Sequence, residues 1–498
     1  MEPHRPASVP TVGNVIDAAD DNTGTTSPGR VHAFRDDALG YDDATALVER
    51  IRRREVSPDE VLEAAIARCE AVDPTLGALA FTDFEGARAR ARTDRDALAS
   101  APLAGLPTAF KDNVRVGGAP MTMGSPAVPA TPSDADSPHV HALRATGLNP
   151  LGTTAMPPFG WTAATERQGG LITRNPWNTG RTSGGSSGGA SALVASGALP
   201  IAHANDGGGS IRIPAAVTGL VGFKPSRGRH PDEVFSRSMP IPLISQGVVT
   251  RSVRDTVAFV SAFESAHPPV GLKPLTGAPP EPGRRLRIGL VEESPAGGPP
   301  DAATSAALRQ TADRLAELGH EIIPTTAPVP ASFRDDFIAY WSLLAMSTAG
   351  SGKKLFHPEF DPDLLDPFTV GLSRRAKRRL HTLPLHLLRL ERVRRQFDSK
   401  FGDVDVYLNP VVAAETPEVG YLGADLPFET HLEHVSRWVT FTPLQNVTGS
   451  PAISLPTGQA PDGMPIGMHL SSRRGEDRLL LELAAQYEAA FPFARIWE

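Results

Sequence analysis

The chain has 498 residues, 40% of them hydrophobic and 21% charged, which is enough apolar material for a large packed core and excludes a disordered polymer. Its formal net charge of -7 gives no overall attraction to nucleic acid or to an anionic membrane, so neither is expected as a partner. The single cysteine, Cys69, excludes an intrachain disulfide and a cysteine-based zinc site, and it agrees with a cytoplasmic location.

Residues 1–35 are expected as a flexible N-terminal arm: the start is polar, rich in Pro, Thr, Asp and Gly, and lacks the apolar run of a signal peptide. Residues 36–498 are expected to form one large domain. Ala44, Leu47, Val48 and Ile51 follow helical spacing. Ser57-Pro58-Asp59-Glu60 is a capping box with proline at the first helical position. It opens a helix carrying Val61, Leu62, Ala65, Ile66 and Cys69, so Cys69 reads as a core residue rather than a reactive thiol. Pro138 to Thr146 reads as a helix stopped by Gly147, with a strand near Leu148 to Gly152. Ser187 to Ser196 reads as a helix stopped by Gly197, with a strand near Leu199 to Ala204. Leu286 to Val291 is an apolar strand, Asp301 to Leu318 a helix closed by Gly319, and Glu321 to Pro324 a further strand. This alternation predicts an α/β fold, a central sheet with helices on both faces.

The Pro- and Gly-rich stretch from His267 to Arg284 reads as a surface connection within one domain, because sheet signals continue on both sides. Residues 331–440 are the least regular part and are expected to shape a substrate pocket. They contain the basic run Arg374, Arg375, Lys377, Arg378 and Arg379, close to Leu380, Leu383, Leu387, Leu388 and Leu390. That pattern reads as two surface helices split at Pro384 with solvated arginines, in preference to a membrane-binding helix. Ala452 to Leu455 and Ile466 to Leu470 flank Pro461-Asp462-Gly463 and read as two strands joined by a turn. No stretch approaches the roughly 18 apolar residues of a spanning helix.

Three short segments carry the chemistry: Gly105 to Asn113, Gly184 to Gly189, and Asp206 to Arg212. In the third, three glycines precede a serine. They let the backbone turn tightly and aim several N–H groups at one point beside a hydroxyl. Ser210 can attack an amide carbonyl, and the N–H groups of Gly207, Gly208, Gly209 and Ser210 can surround the oxyanion that forms. One such donor is worth roughly 3 kcal/mol in a dry site. The competing reading is a glycine-rich packing turn or an anion nest.

A serine nucleophile needs a base. None of the 14 histidines stands in a motif for one, and His203 reads as a strand-end residue. Lys111 follows an apolar stretch in a Lys-Asp-Asn turn. Buried among hydroxyls, a lysine is pushed toward its neutral form; the competing reading is an ion pair with Asp112. Gly184 to Gly188 matches the Gly-x-Ser-x-Gly nucleophile elbow, yet the acid and histidine that should follow cannot be placed. None of this chemistry requires a metal or a cofactor.

Taken together the segments resemble the amidase signature family. The matching residues are Gly105, Pro107, Lys111, Asp112 and Asn113; Gly184 to Gly189; and Asp206 with Gly208 to Arg212, running on through Pro214, Ala215 and Gly222-Phe223-Lys224-Pro225. Asn175-Pro176-Trp177-Asn178, Leu408-Asn409-Pro410 and Asn446 to Ala452 are similar to other blocks of the family. The stretch from His203 to Pro214 is most similar to bacterial amidases of the nylon-oligomer cyclic-dimer hydrolase type. The resemblance implies a Ser–cis-Ser–Lys triad, an acyl-enzyme intermediate and a small-molecule amide substrate. Ser210 would be the nucleophile. Ser186, joined to Gly185 by a cis peptide, would relay protons to Lys111. The sequence departs from the usual pattern at Ala204-Asn205-Asp206-Gly207, at Thr153 and at Pro158, which weakens transfer of a substrate from a distant relative.

The resemblance leaves rivals. The family includes the glutaminase subunit of a tRNA-dependent amidotransferase, which commonly has glutamine where this chain has Ile213. An esterase could use the same triad. Gly352-Lys353 lacks the other residues of a P-loop, and the sequon at Asn446 reads as a strand-end or loop position. Ala155 to Trp161 is a loop unusually dense in apolar side chains. Phe159 or Trp161 is expected to line an apolar acyl pocket beside Ser210, which implies a hydrophobic substrate. A homodimer is compatible with all of this.

Overall fold

A computed structural model of the chain describes residues 29–231, 236, 239–275, 284–294 and 298–498. Most of the expected arm lies outside these residues. Its last part, 29–35, is packed: the Val31 N–H donates to Pro176 O and the Ala33 N–H to Ser196 O, both at 2.8 Å. Phe34 is buried against Trp497, ring centroids 4.1 Å apart. The flexible-arm expectation therefore fails for 29–35, because Phe34 finds an aromatic partner from the opposite end of the chain.

The capping box forms as its residues require. Ser57 Oγ accepts from the Glu60 N–H at 3.2 Å, and Glu60 Oε2 accepts from the Ser57 N–H at 2.8 Å. The helix Pro58–Leu76 follows and buries Cys69, whose thiol burial pushes well up.

Eight strands form the main sheet, in the order Glu321–Pro324, Arg287–Leu290, Val406–Pro410, Pro465–Ser471, Ala452–Gln459, Val221–Lys224, Ser245–Thr250 and Ile201–Asp206. The first three run parallel and the remaining pairings are antiparallel, so the sheet is mixed. Strands from both sides of the 267–284 connection lie in this one sheet. A smaller sheet of Leu79–Thr82, Asn149–Thr154 and Pro107–Lys111 stands beside the edge strand Ile201–Asp206. There Thr108 Oγ1 donates to Ile201 O at 3.1 Å. Flanking helices include Gly188–Ala195, Val253–Ala266, Ala302–Glu317 and Asp477–Ala490. Among the described residues no helix is long and apolar enough to cross a membrane.

Residues 331–440 are more regular than expected. They form the helices Phe333–Leu355, Pro367–Arg378, Leu383–Lys400 and Phe428–Trp438, with the strand Val406–Pro410. Phe333–Leu355 and Phe428–Trp438 contribute to the lining of a cavity, whereas Pro367–Arg378 and Leu383–Lys400 pack their apolar residues into neighbouring clusters. The break in the basic region falls at 379–382, not at Pro384. Pro384 sits in the first turn of its helix, where it has no intrahelical bond to lose.

Candidate active site

The three glycine-bearing segments converge. Lys111 ends one strand of the small sheet, Asp206 ends the edge strand of the large one, and Ser186 precedes the helix Gly188–Ala195. The Gly185–Ser186 peptide is cis. Gly189 is needed where that helix passes the small sheet, because a Cβ there would lie 2.3 Å from Ala78 O.

Lys111 is fully buried and its Nζ has three neighbours: Ser186 Oγ at 2.8 Å, Ser187 Oγ at 3.0 Å and Asn205 Oδ1 at 2.8 Å. Burial pushes its pKa down to about 7, an effect that the negative Asp206 only partly offsets. The partners then sort by chemistry. Asn205 Oδ1 can only accept. Ser187 Oγ spends its own hydrogen on Asn205 O at 3.3 Å, so it too accepts from the amine. A neutral amine has two hydrogens and one lone pair. Its lone pair is thereby left for the hydrogen of Ser186. The ion pair with Asp112 does not form: the Asp112 carboxylate accepts from the Thr122 and Gly124 N–H groups, and burial raises its pKa to about 6.

Ser186 and Ser210 line one cavity, with no hydrogen bond between them and none from Ser210 Oγ among the described residues. The turn that carries Ser210 is held by Asp206. Its carboxylate accepts from the Gly209 N–H at 2.7 Å and the Ile211 N–H at 3.2 Å, and from Arg212 Nε and Nη2 at 2.8 and 2.9 Å. Burial opposes that charge, but the Arg212 guanidinium holds the carboxyl well below the usual range. Gly209 is corrected by this arrangement. Its N–H is taken by Asp206 and it lies outside the cavity lining, whereas Gly207, Gly208 and Ser210 line it. Gly209 has φ +131°, and a Cβ there would stand 2.3 Å from Thr442 Oγ1; its role is steric.

Asn446 is corrected too. It lies in the short helix Pro443–Thr448, is buried, and donates to Asp206 O at 2.7 Å and Asp206 Oδ1 at 2.9 Å. His203 sits inside its strand, not at an end. Its Nδ1 accepts the Lys111 backbone N–H at 3.1 Å, so Nε2 carries the hydrogen toward Gln246 Oε1 at 3.1 Å. Burial lowers its pKa to about 3, which keeps the ring neutral.

The cavity has a volume of about 510 Å³ and is walled by apolar side chains, among them Phe159, Trp161, Ile213, Phe337, Ile338 and Trp341. Both aromatic residues singled out in the 155–161 loop therefore share the cavity with the two serines. The loop is anchored by the Phe159 N–H donating to Met123 O at 2.8 Å. A Cβ on Gly160 would stand 3.0 Å from Ser186 Oγ, so the loop passes directly over that serine. Sequence reading missed Ser187 and the role of Asn205. The Asn205 signal was present as a departure from the commoner pattern, but only the fold shows that its amide oxygen faces Lys111. Among the described residues no group of His, Cys, Asp and Glu is placed to hold a metal ion.

A family profile for amidases matches residues 60–481. The chain is 48% identical over 474 residues to the Mycobacterium tuberculosis protein AmiC, provisionally named an amidase, covering 94% of this chain and 98% of that one. It is 35% identical over 479 residues to a 6-aminohexanoate-cyclic-dimer hydrolase from a Pseudomonas species, covering 91% and 95%. A solved structure of a 6-aminohexanoate cyclic dimer hydrolase is similar across 93% of this chain and 99% of that one, with a TM-score of 0.82 and 33% identity.

Proposed function

This chain belongs to the amidase family and is an amide hydrolase, and we propose that it cleaves small hydrophobic carboxamides through an acyl-enzyme on Ser210. The observation that carries this reading is the buried contact of Lys111 Nζ with Ser186 Oγ at 2.8 Å. Neutral Lys111 takes the proton of Ser186, and Ser186 takes that of Ser210 as Ser210 Oγ attacks the substrate carbonyl. The N–H groups of Gly207, Gly208 and Ser210 stabilise the oxyanion. The proton returns through Ser186 to the leaving nitrogen, the C–N bond breaks, and the amine departs. Water, activated by the same relay, then hydrolyses the acyl ester. Asn205 and Ser187 hold the Lys111 amine in register by accepting its two hydrogens, and neither passes a proton itself. Ile213, an apolar group in the cavity wall, supports a free-standing hydrolase over a glutaminase subunit.

The test is direct. A p-nitrophenyl acyl ester should give a burst of nitrophenol, and the peptide containing Ser210 should gain the mass of the acyl group. An adduct on another residue, or a burst with no adduct, would remove Ser210 from the role.

The pocket makes a second prediction. Trp161→Ala should raise KM for a bulky acyl amide roughly tenfold, since a lost apolar contact of this kind is worth about 1–3 kcal/mol. KM for an acetamide-sized substrate should move far less. Equal changes for both would take Trp161 out of acyl recognition.

A further inference from the structure

The charged groups around the cavity are of one sign. In a chain where acidic side chains outnumber basic ones, 56 to 49, the lining includes Arg115, Arg334 and Lys354 and, among the described residues, no Asp or Glu. Arg334 lies in the first turn of the helix Phe333–Leu355 and Lys354 in its last. At 1.5 Å per residue they stand about 30 Å apart. Arg115 belongs to the Lys354 end. Its loop continues into Met121 and Met123, which pack with Phe159, Phe356 and Phe360. The Asp361 N–H donates to Ala127 O at 3.0 Å, tying the same loop to the chain beyond the helix. Phe159 and Phe356 meet there with ring centroids 5.4 Å apart. Arg115 and Lys354 are both exposed, and no carboxylate pairs with either among the described residues. The neighbouring Asp136 is taken by Arg144 at 2.7 Å.

A path through the site follows from these contacts. The 155–161 loop passes over Ser186, Phe159 stands beyond it, Phe356 stands against Phe159, and the two cations lie at that end. An acyl chain starting at Ser210 and running along the rings arrives at positive charge. A terminal methyl would satisfy the rings and leave the cations to water. A terminal carboxylate would satisfy both, and attraction to it is strengthened beside a low-dielectric wall.

We propose that the substrates are monoamides of dicarboxylic acids, with Arg115 and Lys354 holding the carboxylate at the far end of the acyl chain. This rests on the acyl-enzyme reading and deepens it. The experiment compares the p-nitroanilide of octanoic acid with the mono-p-nitroanilide of suberic acid, which has the same eight-carbon acyl length, together with shorter and longer pairs. The ratio of kcat/KM, acid over neutral, should reach about tenfold at low salt, peak at one chain length and fall as salt screens the charges. Lys354→Gln and Arg115→Gln should each lower that ratio several-fold, Lys354→Arg should retain it, and Lys354→Glu should bring it below one. A merely structural effect would change both substrates alike and leave the ratio in place.

A ratio at or below one at every chain length overturns the proposal, as does a ratio unmoved in both glutamine variants. So does a preference for N-octanoylglycine, which carries its carboxylate on the amine side. Neutral anilides cleaved without such preference defeat this proposal alone. No cleavage of any anilide, with no adduct on Ser210, defeats the acyl-enzyme reading and this proposal together.

Discussion

Ser210→Ala should lower kcat on every amide by a factor on the order of 10⁴–10⁶, the range seen when a serine nucleophile is removed from a site that works as a unit. The substitution deletes one half-buried hydroxyl that makes no hydrogen bond among the described residues. Nothing in the turn depends on it: Asp206 holds the backbone through the Gly209 and Ile211 N–H groups. Circular dichroism and the thermal midpoint should therefore match the wild type while turnover disappears. Near-normal turnover in this variant would return the nucleophile's role to the serines of the 184–189 segment.

Lys111→Ala should lose most amide activity, about 10²–10⁴-fold as for other general acid–base groups, and proportionally less on p-nitrophenyl esters. An amide must receive a proton on its leaving nitrogen, whereas nitrophenolate leaves without one. The lysine also sets a pH profile. Its pKa is pushed down to about 7 by burial, so the neutral form that accepts the Ser186 hydrogen grows in as pH rises through that value. In the wild type kcat/KM for an amide should climb across this range and level off above it. Equal losses on matched amide and ester, or a profile flat from pH 6 to 8, would take Lys111 out of proton transfer. The variant will also be less stable, because Asn205 Oδ1 and Ser187 Oγ lose their buried donor and Ser186 its acceptor; Lys111→Met fills the space and separates that effect from the chemistry.

Legibility in the sequence differed by kind of feature. Local devices read correctly. The Ser57–Glu60 capping box, the Gly147 and Gly319 stops and the strands around Pro461-Asp462-Gly463 depend on interactions within a few residues, so their signals are written contiguously. The 331–440 region read as irregular although it is mostly helix: its apolar residues are spread over four helices, of which Phe333–Leu355 and Phe428–Trp438 reach the cavity and the other two pack against their neighbours. Gly209 looked like one more N–H donor because its neighbours are. Only the return of Asp206 onto its own turn takes that N–H away.

From the sequence alone came the α/β class, the family and the three segments that meet, because these are encoded as periodicity and as short contiguous motifs. The tertiary structure decided which atoms share a hydrogen. Asn205 and Ser187 reach Lys111 from segments 94 and 76 residues away, Asn446 reaches Asp206 across 240, and Phe34 meets Trp497 from the other terminus. Such contacts leave no spacing in the chain, since the distance between two side chains in a folded sheet is set by strand order and register. The charge in the cavity lining has the same origin: Arg115 and Lys354 are ordinary surface cations until a loop and a helix bring them to the lining of one pocket.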